Sequence, residues 1–284
     1  MFQIAICRLR IEFERVILNN NAPHYYLRSD LYIMNSFISW IGGKKLLRKS
    51  ILENFPASEN YNRYVEVFGG AGWVLFAKER HAELEVYNDV NGDLVNLFRC
   101  TKYHSEALQK ELEFILMSRE QFFDAREQII TRGLTDIQRA ANFYILIKES
   151  FGADLRSFGV RAKNLKNAVD YILTISKRLG TVVIENQDFE RLLKTYDKND
   201  ALFYLDPPYY KSEDYYSSKF RVEDHTRLKK ALECLKGKFL LSYNDCEYIR
   251  KLYDNYNIIE VNRTHNLVQS EIKPRYKELL IKNY

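Results

Sequence analysis

The sequence predicts an α/β fold on a seven-stranded, mostly parallel sheet, and two observations support this. Seven short runs rich in β-branched and aromatic residues recur, and most are separated by segments with helical spacing, an alternation typical of parallel sheets. The last two runs lie too close together for a crossover helix, which favours one antiparallel closing strand. The runs are residues 64–68, 84–87, 181–184, 201–205, 239–243, 258–261 and 278–281.

A long helical stretch interrupts this alternation between the second and third runs. Residues 98–179 show helical periodicity and are too many for a simple crossover, so we predict an inserted helical subdomain. Residues 1–33 precede a second methionine, Met34, and carry no motif, so we expect an N-terminal extension that can lie upstream of the true start. The predicted divisions are the extension at 1–34, the first half of the α/β domain at 35–99, the insert at 100–180 and the second half at 181–284.

Basic residues are concentrated in the C-terminal part of the insert. Between positions 155 and 180, six Lys and Arg residues occur with a single acidic residue, Asp170. This excess predicts a surface that contacts phosphates, with a solvated helical face as the alternative. The six are Arg156, Arg161, Lys163, Lys166, Lys177 and Arg178.

Composition argues against membrane and metal classes. No apolar run approaches the roughly 20 residues that span a bilayer, and charges interrupt the first fifteen residues, so we expect a cytoplasmic protein. The four cysteines form no CxxC pair and the five histidines form no HExxH motif. We therefore predict neither a zinc site nor metal-assisted hydrolysis.

The strongest local signal is Asp206-Pro207-Pro208-Tyr209, directly after the run that ends at Leu205. Ligands bind at the carboxyl ends of strands in open α/β sheets. The two prolines fix the backbone and present carbonyls without a competing N–H, so a carboxylate and a carbonyl can both accept from one amine. Tyr209 can stack on a base. A proline-rich turn without function is the alternative.

A glycine-rich turn follows the first run. Gly69, Gly70 and Gly72 would let the backbone approach a ligand closely. A dinucleotide fingerprint would need a third glycine where Leu75 stands, and the Gly-Lys-Ser/Thr of a phosphate loop is missing, so a nucleoside cofactor without a pyrophosphate fits better. An ordinary strand-to-helix turn is the alternative.

Two weaker segments complete the set. Asp89, at the end of the second run, can accept hydrogen bonds from ribose hydroxyls, although a helix N-cap by Asp89 or Asn91 is the alternative. Upstream, Trp40 and Lys44 flank a Gly-Gly turn that could contact a ligand carboxylate, although a loop with solvated lysines would look the same.

In their order and spacing, these four segments resemble the Dam-type DNA adenine methyltransferases over about residues 35–284. The resemblance implies a Rossmann-like class I methyltransferase fold with a helical target-recognition insert, and S-adenosylmethionine as cofactor. Further matches lie at 188–189, 242–245 and 275–280. The implied cofactor contacts are Trp40, Lys44, Phe68, Gly70, Gly72, Asp89, Asp188, Phe189 and Asp206. The implied catalytic residues are Asp206, Pro207, Pro208 and Tyr209.

The implied reaction is methylation of N6 of an adenine flipped out of double-stranded DNA, without a metal. Arg156, Arg161, Lys163 and Lys166 are the expected DNA contacts. Methylation of cytosine N4 or of an RNA adenine, and a catalytically inactive DNA-binding protein, are the alternatives. Residues 151–156 only approximate the family's aromatic-Asn-Gly pattern, so the recognition sequence does not carry over. The oligomeric state and the role in restriction, replication or phage defence also stay open.

Overall fold

A seven-stranded sheet forms the centre of a computed structural model that describes residues 26–28, 31–115, 118–131, 133–159, 165–211, 220–264 and 275–284. After a short hairpin of β1 (Tyr26–Arg28) and β2 (Leu31–Ile33), its strands are β3 (Arg63–Glu66), β4 (Leu84–Asn88), β5 (Val183–Glu185), β6 (Ala201–Leu205), β7 (Lys238–Asn244), β8 (Asn257–Thr264) and β9 (Arg275–Lys282). Their order is β5-β4-β3-β6-β7-β9-β8. Among the seven described strands of this sheet, β9 is the one that runs in the direction opposite to the other six. The predicted α/β sheet with one antiparallel closing strand is confirmed.

The central strands are buried on both faces of the sheet. All five residues of β6 are buried, and its side chains alternate between two apolar cores, with Tyr204 in one and Phe203 in the other. In β3, Tyr64 and Val65 divide in the same way. A parallel sheet covered by helices on both sides requires this continuous burial, and for that reason the central run at 201–205 contains no charged residue.

The strand order reverses between β3 and β6. From β3 the chain proceeds through β4 to β5 at one edge, and after β5 it returns to β6 and continues to β7 on the other side. Ligands of open α/β sheets bind at such a switch point, outside the carboxyl ends of the strands. The segments that follow β3, β4 and β6 are therefore brought to one edge.

The described helices fall into three groups along the chain. One short helix precedes the sheet, five form the insert, and three connect the later strands. They are α1 (Arg48–Glu53), α2 (Gly92–Tyr103), α3 (Ser105–Glu113), α4 (Arg119–Ile130), α5 (Asp136–Glu149), α6 (Lys166–Leu179), α7 (Phe189–Tyr196), α8 (Val222–Glu233) and α9 (Glu247–Leu252). The predicted insert at 100–180 contains the end of α2 and all of α3 to α6. Its predicted start at residue 100 falls inside α2, and the division into domains stays a prediction.

The insert is anchored to the sheet by a buried ion pair. Arg178 of α6 donates two hydrogen bonds to Glu85 of β4, at 2.7 and 2.9 Å, and both side chains are nearly inaccessible. The same guanidinium donates to the carbonyls of Leu75 and Lys78. Because Glu85 and Leu75 are buried, loss of Arg178 would leave the Glu85 carboxylate without its ion-pair partner and the Leu75 carbonyl without this donor.

The β1–β2 hairpin was not predicted from the sequence. Each strand has three residues, too few to show a periodic pattern. Directly after it, the Met34 amide donates to the Phe76 carbonyl at 3.0 Å, and Met34 is buried. None of the helices in the described part of the chain has the length and apolar composition that a bilayer crossing requires.

Candidate active site and cofactor cavity

A cavity of about 510 Å³ lies at the predicted edge of the sheet. It lies within the usual range for small-molecule sites, roughly 300–1,000 Å³. Of the predicted site residues, Trp40, Phe68, Gly70, Asp89, Arg156, Asp188, Phe189, Asp206 and Pro208 line it. Four predicted residues do not line the cavity: Lys44, Gly72, Pro207 and Tyr209. Of these, Lys44 contacts the cavity residue Asp206, and Tyr209 contacts Lys44.

The loop after β6 holds Asp206 between two donors. Its Oδ2 lies 2.7 Å from Lys44 Nζ, and its Oδ1 accepts from the Ser242 hydroxyl at 2.8 Å. The Asp206 side chain is 17% exposed, so it is accessible from the cavity although mostly surrounded by protein. Burial raises the pKa of Asp206 above its usual value, and the Lys44 ammonium opposes that shift. Lys44 is thus the main group that favours the carboxylate.

Lys44 contacts the loop at residues 206–210 and does not line the cavity. Only 4% of its side chain is exposed, and its ammonium donates to the Gly42 carbonyl at 2.9 Å. It also lies 4.8 Å from the ring centroid of Tyr209. The role implied by the resemblance, near the methionine end of the cofactor, remains a prediction.

Three side chains on one face of the β7–β9 pair hold successive parts of this loop. Ser242 bonds to Asp206, Asn244 exchanges hydrogen bonds with the backbone of Tyr210, and Glu278 accepts from the Tyr209 hydroxyl at 2.6 Å. Ser242 and Asn244 lie two apart on β7, and Glu278 pairs with Asn244 across the sheet. The resemblance seen in the sequence included the 242–245 and 275–280 segments, but the sequence did not show their contacts with the loop.

The glycine turn after β3 brings backbone to the cavity. Gly70 and Gly72 have positive φ, at 48° and 68°, and a Cβ on Gly70 would lie 2.9 Å from the Trp40 ring. Gly69 is tighter still, because its Cβ would lie 2.2 Å from the Tyr87 ring. The Tyr87 hydroxyl donates to the Gly70 carbonyl at 2.7 Å. The sequence placed Gly69 in a glycine-rich turn, but it did not show that Gly69 packs directly against the Tyr87 ring.

Asp89 braces this turn and also faces the cavity. Its Oδ2 accepts from the Gly70 amide at 2.9 Å and its Oδ1 from the Asn91 amide at 2.8 Å. Of the two N-cap candidates, Asn91 caps α2, since its side chain accepts from the amides of Asp93 and Leu94. Asp89 is therefore not needed as the cap. Each carboxylate oxygen has further acceptor capacity, which a ribose hydroxyl could use.

An aromatic cluster lines the side of the cavity near β5. Phe68, Phe189 and Phe220 lie with ring centroids 5.7 to 6.0 Å apart. The Arg227 guanidinium lies 4.2 Å from the Phe189 centroid and 2.5 Å from Asp188 Oδ2, while Asp188 also caps α7. Phe220 and Arg227 were missed in the sequence because they lie on or beside α8, far from every recognised motif.

The sequence analysis also missed two buried polar groups near the cavity, the Glu66 carboxyl and the Gln187 side-chain oxygen. Burial raises the pKa of Glu66 to about 8, and the Tyr64 hydroxyl donates to its carboxyl at 2.8 Å. Gln187 lines the cavity, and its Oε1 is buried without a hydrogen-bond partner among the described residues. A buried acceptor in that state is available to a donor from a bound ligand.

The predicted DNA contacts are described only in part. Arg156 lines the cavity from a turn in which Ala153 and Leu155 have φ near 60°, an uncommon conformation for residues with side chains. The Asp154 carboxylate accepts from the amides of Arg156 and Ser157 within this turn. Lys166 is exposed at the start of α6. Arg161 and Lys163 lie outside the described residues.

Comparison with known proteins identifies the family. The sequence model of the D12 class N6 adenine-specific DNA methyltransferases matches residues 40–267. The chain belongs to this family. It is 29% identical to the type II methyltransferase M1.LlaDCHI of Lactococcus lactis subsp. cremoris, across 88% of this chain and 96% of the relative. It is 27% identical to the type II methyltransferase M.CviBI of Paramecium bursaria Chlorella virus NC1A, across 88% of this chain and all of the relative.

A third relative is a DNA adenine methylase. The DNA adenine methylase of Haemophilus influenzae is 23% identical across 86% of this chain and 92% of its own length. The predicted activity, adenine N6 methylation of DNA, is confirmed by the family match, and the enzyme class with it. The alternatives of cytosine N4 and RNA adenine as substrates are thereby set aside. This adenine methyltransferase has no group of three or more His, Cys, Asp or Glu side chains placed to hold a metal within its described residues.

Proposed function

We propose that this adenine methyltransferase binds S-adenosylmethionine in the 510 Å³ cavity and methylates an adenine flipped out of double-stranded DNA. One observation carries the proposal: the same cavity is lined by Asp206 on one side and by aromatic rings with the Asp89 carboxylate on the other. The Asp206 side is suited to binding an amine, and the aromatic side is suited to binding a nucleoside.

The residues present fit this cofactor. A nucleoside needs an aromatic or apolar slot, which Phe68 and Phe189 provide, and an acceptor for its hydroxyls, which Asp89 provides. Gly69 and Gly70 line the cavity without side chains of their own, so their backbone is open to a ligand there. When bound, S-adenosylmethionine supplies a methyl group already activated on a sulfonium, so the protein needs no covalent nucleophile.

The chain's own contribution is to position the adenine amine and prepare its nitrogen. An amine that donates to the Asp206 carboxylate and to the Pro207 carbonyl is drawn towards pyramidal geometry, which localises its lone pair. Lys44 and Ser242 hold Asp206 from the protein side and leave its remaining acceptor capacity for the amine. Transfer would form the nitrogen–methyl bond as the sulfonium's sulfur–methyl bond breaks and leaves a neutral thioether. The nitrogen would then be cationic, and its extra proton would pass to the Asp206 carboxylate that accepts its hydrogen bond, and from there to solvent.

Tyr209 is the group proposed to stack on the flipped base. Extrusion from a duplex costs a few kcal/mol, and stacking on an aromatic ring returns roughly 1–3 kcal/mol per base. Arg156, on the wall of the same cavity, is the proposed reader of a neighbouring base edge. Arg161, Lys163 and Lys166 are the proposed phosphate contacts, and the boundaries of the insert are proposed at 100–180.

Expression in a host without DNA methylation tests this proposal. Single-molecule sequencing of the host genome should find N6-methyladenine in a defined sequence context, and cells expressing Asp206→Ala should show none. The same purified proteins, given duplex and single-stranded versions of the identified site, would show which form is methylated. A genome without modified adenines, or with equal modification by the Asp206→Ala control, would overturn the assignment.

A further inference from the structure

The closing strand β9 carries a buried acid that the mechanism above does not use. Glu278 is 3% exposed and accepts a hydrogen bond of 2.6 Å from the Tyr209 hydroxyl. A buried carboxylate is costly unless it receives hydrogen bonds, so an apolar residue would suit a purely structural position at the centre of a sheet better.

The direction of β9 explains how Glu278 reaches the loop. Because β9 is antiparallel to β7, its early residues lie beside the carboxyl end of β7, where Glu278 pairs with Asn244. A parallel strand in the same place would bring its last residues to this edge instead. The antiparallel closing strand thus supplies a side chain to the catalytic loop from a segment some 70 residues further along the chain.

The contacts of Tyr209 suggest what Glu278 does. Lys44 Nζ lies 4.8 Å from the centroid of the Tyr209 ring, and the Tyr243 ring packs beside it with a centroid separation of 6.1 Å. These contacts restrict the position of the ring, and among the described residues it is Glu278 that restricts its tip, through the hydrogen bond from the hydroxyl. An aromatic side chain tethered at its tip loses little entropy when a base stacks on it.

We infer that Glu278 is a positioning residue for methyl transfer, which fixes the Tyr209 ring in the orientation that receives the flipped adenine. The inference rests on the proposed role of Tyr209. Glu278 acts through the Tyr209 hydroxyl, and its negative charge near Asp206 is not the source of its effect.

Substitutions that keep or remove the bond separate these two modes of action. Glu278→Gln keeps an acceptor for the hydroxyl and removes the charge, Glu278→Ala removes both, and Tyr209→Phe keeps the ring and removes the donor. Methyl incorporation into unmethylated bacterial genomic DNA is measured across a DNA concentration series. Glu278→Ala and Tyr209→Phe should each lower kcat by between about tenfold and 100-fold, as expected for a small misplacement of a positioned group, while Glu278→Gln should recover most of the loss.

A double variant gives the sharper test. Glu278→Ala combined with Tyr209→Phe should be no slower than the slower single variant, because both remove the same bond. Glu260→Ala is the matched control and should keep wild-type kcat, since Glu260 pairs with Leu279 and so lies on the other face of the strand pair, exposed. Thermal melting and calorimetric binding of S-adenosylhomocysteine confirm that each variant is folded and retains its cofactor site.

Three results would overturn the inference: additive effects in the double variant, a Glu278→Gln protein as slow as Glu278→Ala, or a Tyr209→Phe protein at wild-type rate. Should the Glu278 variants prove unstable, Tyr209→Phe still decides, because it leaves Glu278 in place. Failure of the inference differs from failure of the proposed function, since in the first case Asp206→Ala remains inactive and in the second it does not.

Discussion

The two sides of the cavity hold their key side chains in different ways. On the acidic side, formed by Asp206 with Lys44 and Ser242, the partners are buried and every contact comes from a strand or a tight turn. On the aromatic side, formed by Phe68, Phe189 and Phe220, the nearby ion pair of Asp188 and Arg227 is more than 40% exposed at each partner. Solvent weakens the exposed pair of Asp188 and Arg227, whereas the pair of Asp206 and Lys44 is largely shielded from it.

This difference matches two tasks. Placing an amine for reaction tolerates little displacement, so its acceptor must be fixed before substrate arrives. Binding a nucleoside tolerates more, because apolar contact and stacking depend weakly on orientation. Substitutions on the acidic side should therefore lower kcat, and those on the aromatic side should lower cofactor affinity.

The largest effect is expected from Asp206→Ala, which should lower methyl transfer by at least ~100-fold while leaving the fold intact and cofactor affinity unchanged or modestly weakened. The loss arises because the adenine amine has no carboxylate to orient it. Single-turnover methyl transfer and calorimetric binding of S-adenosylhomocysteine measure the two quantities separately. Activity within tenfold of wild type would remove the distinction between the two sides.

The second prediction concerns Lys44 and the pH dependence of the reaction. Burial raises the pKa of Asp206 and Lys44 opposes that shift, so in Lys44→Met the pKa should rise further. Transfer requires the carboxylate and is lost as pH falls through the pKa of Asp206, so the acidic limb of the kcat profile should move to higher pH. At neutral pH we expect a loss of about tenfold or more.

Lys45→Met is the matched control for this change. Lys45 is exposed, and its ammonium lies 5.5 Å from the centroid of the Trp73 ring, away from Asp206. Its pH profile should coincide with that of the wild type. An unshifted acidic limb in Lys44→Met would show that another group keeps Asp206 ionised.

On the acidic side, the sequence predicted the loop residues themselves but not the distant side chains that hold them. Asp206 to Tyr209 form a rigid tetrapeptide after an apolar strand, and both features are local. Ser242 and Glu278, which hold that tetrapeptide, lie 36 and 69 residues from their partners, and only the antiparallel register of β9 brings Glu278 into place. Register between distant strands has no local signal in one sequence.

The aromatic side was predicted less completely. Phe68, Asp188 and Phe189 follow strands and could be placed from strand order, because carboxyl ends of parallel strands meet at one edge. Phe220 and Arg227 reach the cavity from the start of α8, and an amphipathic helix pattern does not show which of its exposed residues face a ligand. The hairpin of β1 and β2 was missed because three-residue strands are too short for periodicity.

The third prediction tests the aromatic side. Phe189→Ala should weaken binding of S-adenosylhomocysteine by about tenfold, as expected for the loss of one aromatic stacking contact, and leave kcat at saturating cofactor within about threefold of wild type. Phe123→Ala is a suitable control, because Phe123 packs on Phe122 in α4 and does not line the cavity. A fall in kcat with unchanged affinity would show that Phe189 serves the reaction and not the cofactor.

The smallest effect on either side should follow from removing the basic residues of the insert. Arg161, Lys163 and Lys166 replaced together by Ala should leave cofactor affinity and kcat at saturating DNA unchanged, since the described contacts of the cavity do not include Lys166. DNA affinity should fall on every sequence, because phosphate contacts carry no base preference. Each contact contributes about 0.9 to the slope of log K against log salt, so the slope should flatten by roughly two to three.

Arg156→Ala, in contrast, should relax target choice by about 1–3 kcal/mol if this side chain reads a base edge. Filter binding across a salt series, with cognate and scrambled duplexes, measures both. An unchanged slope in the triple variant would place the DNA surface elsewhere, with the segment between Lys211 and Arg221 as the next candidate.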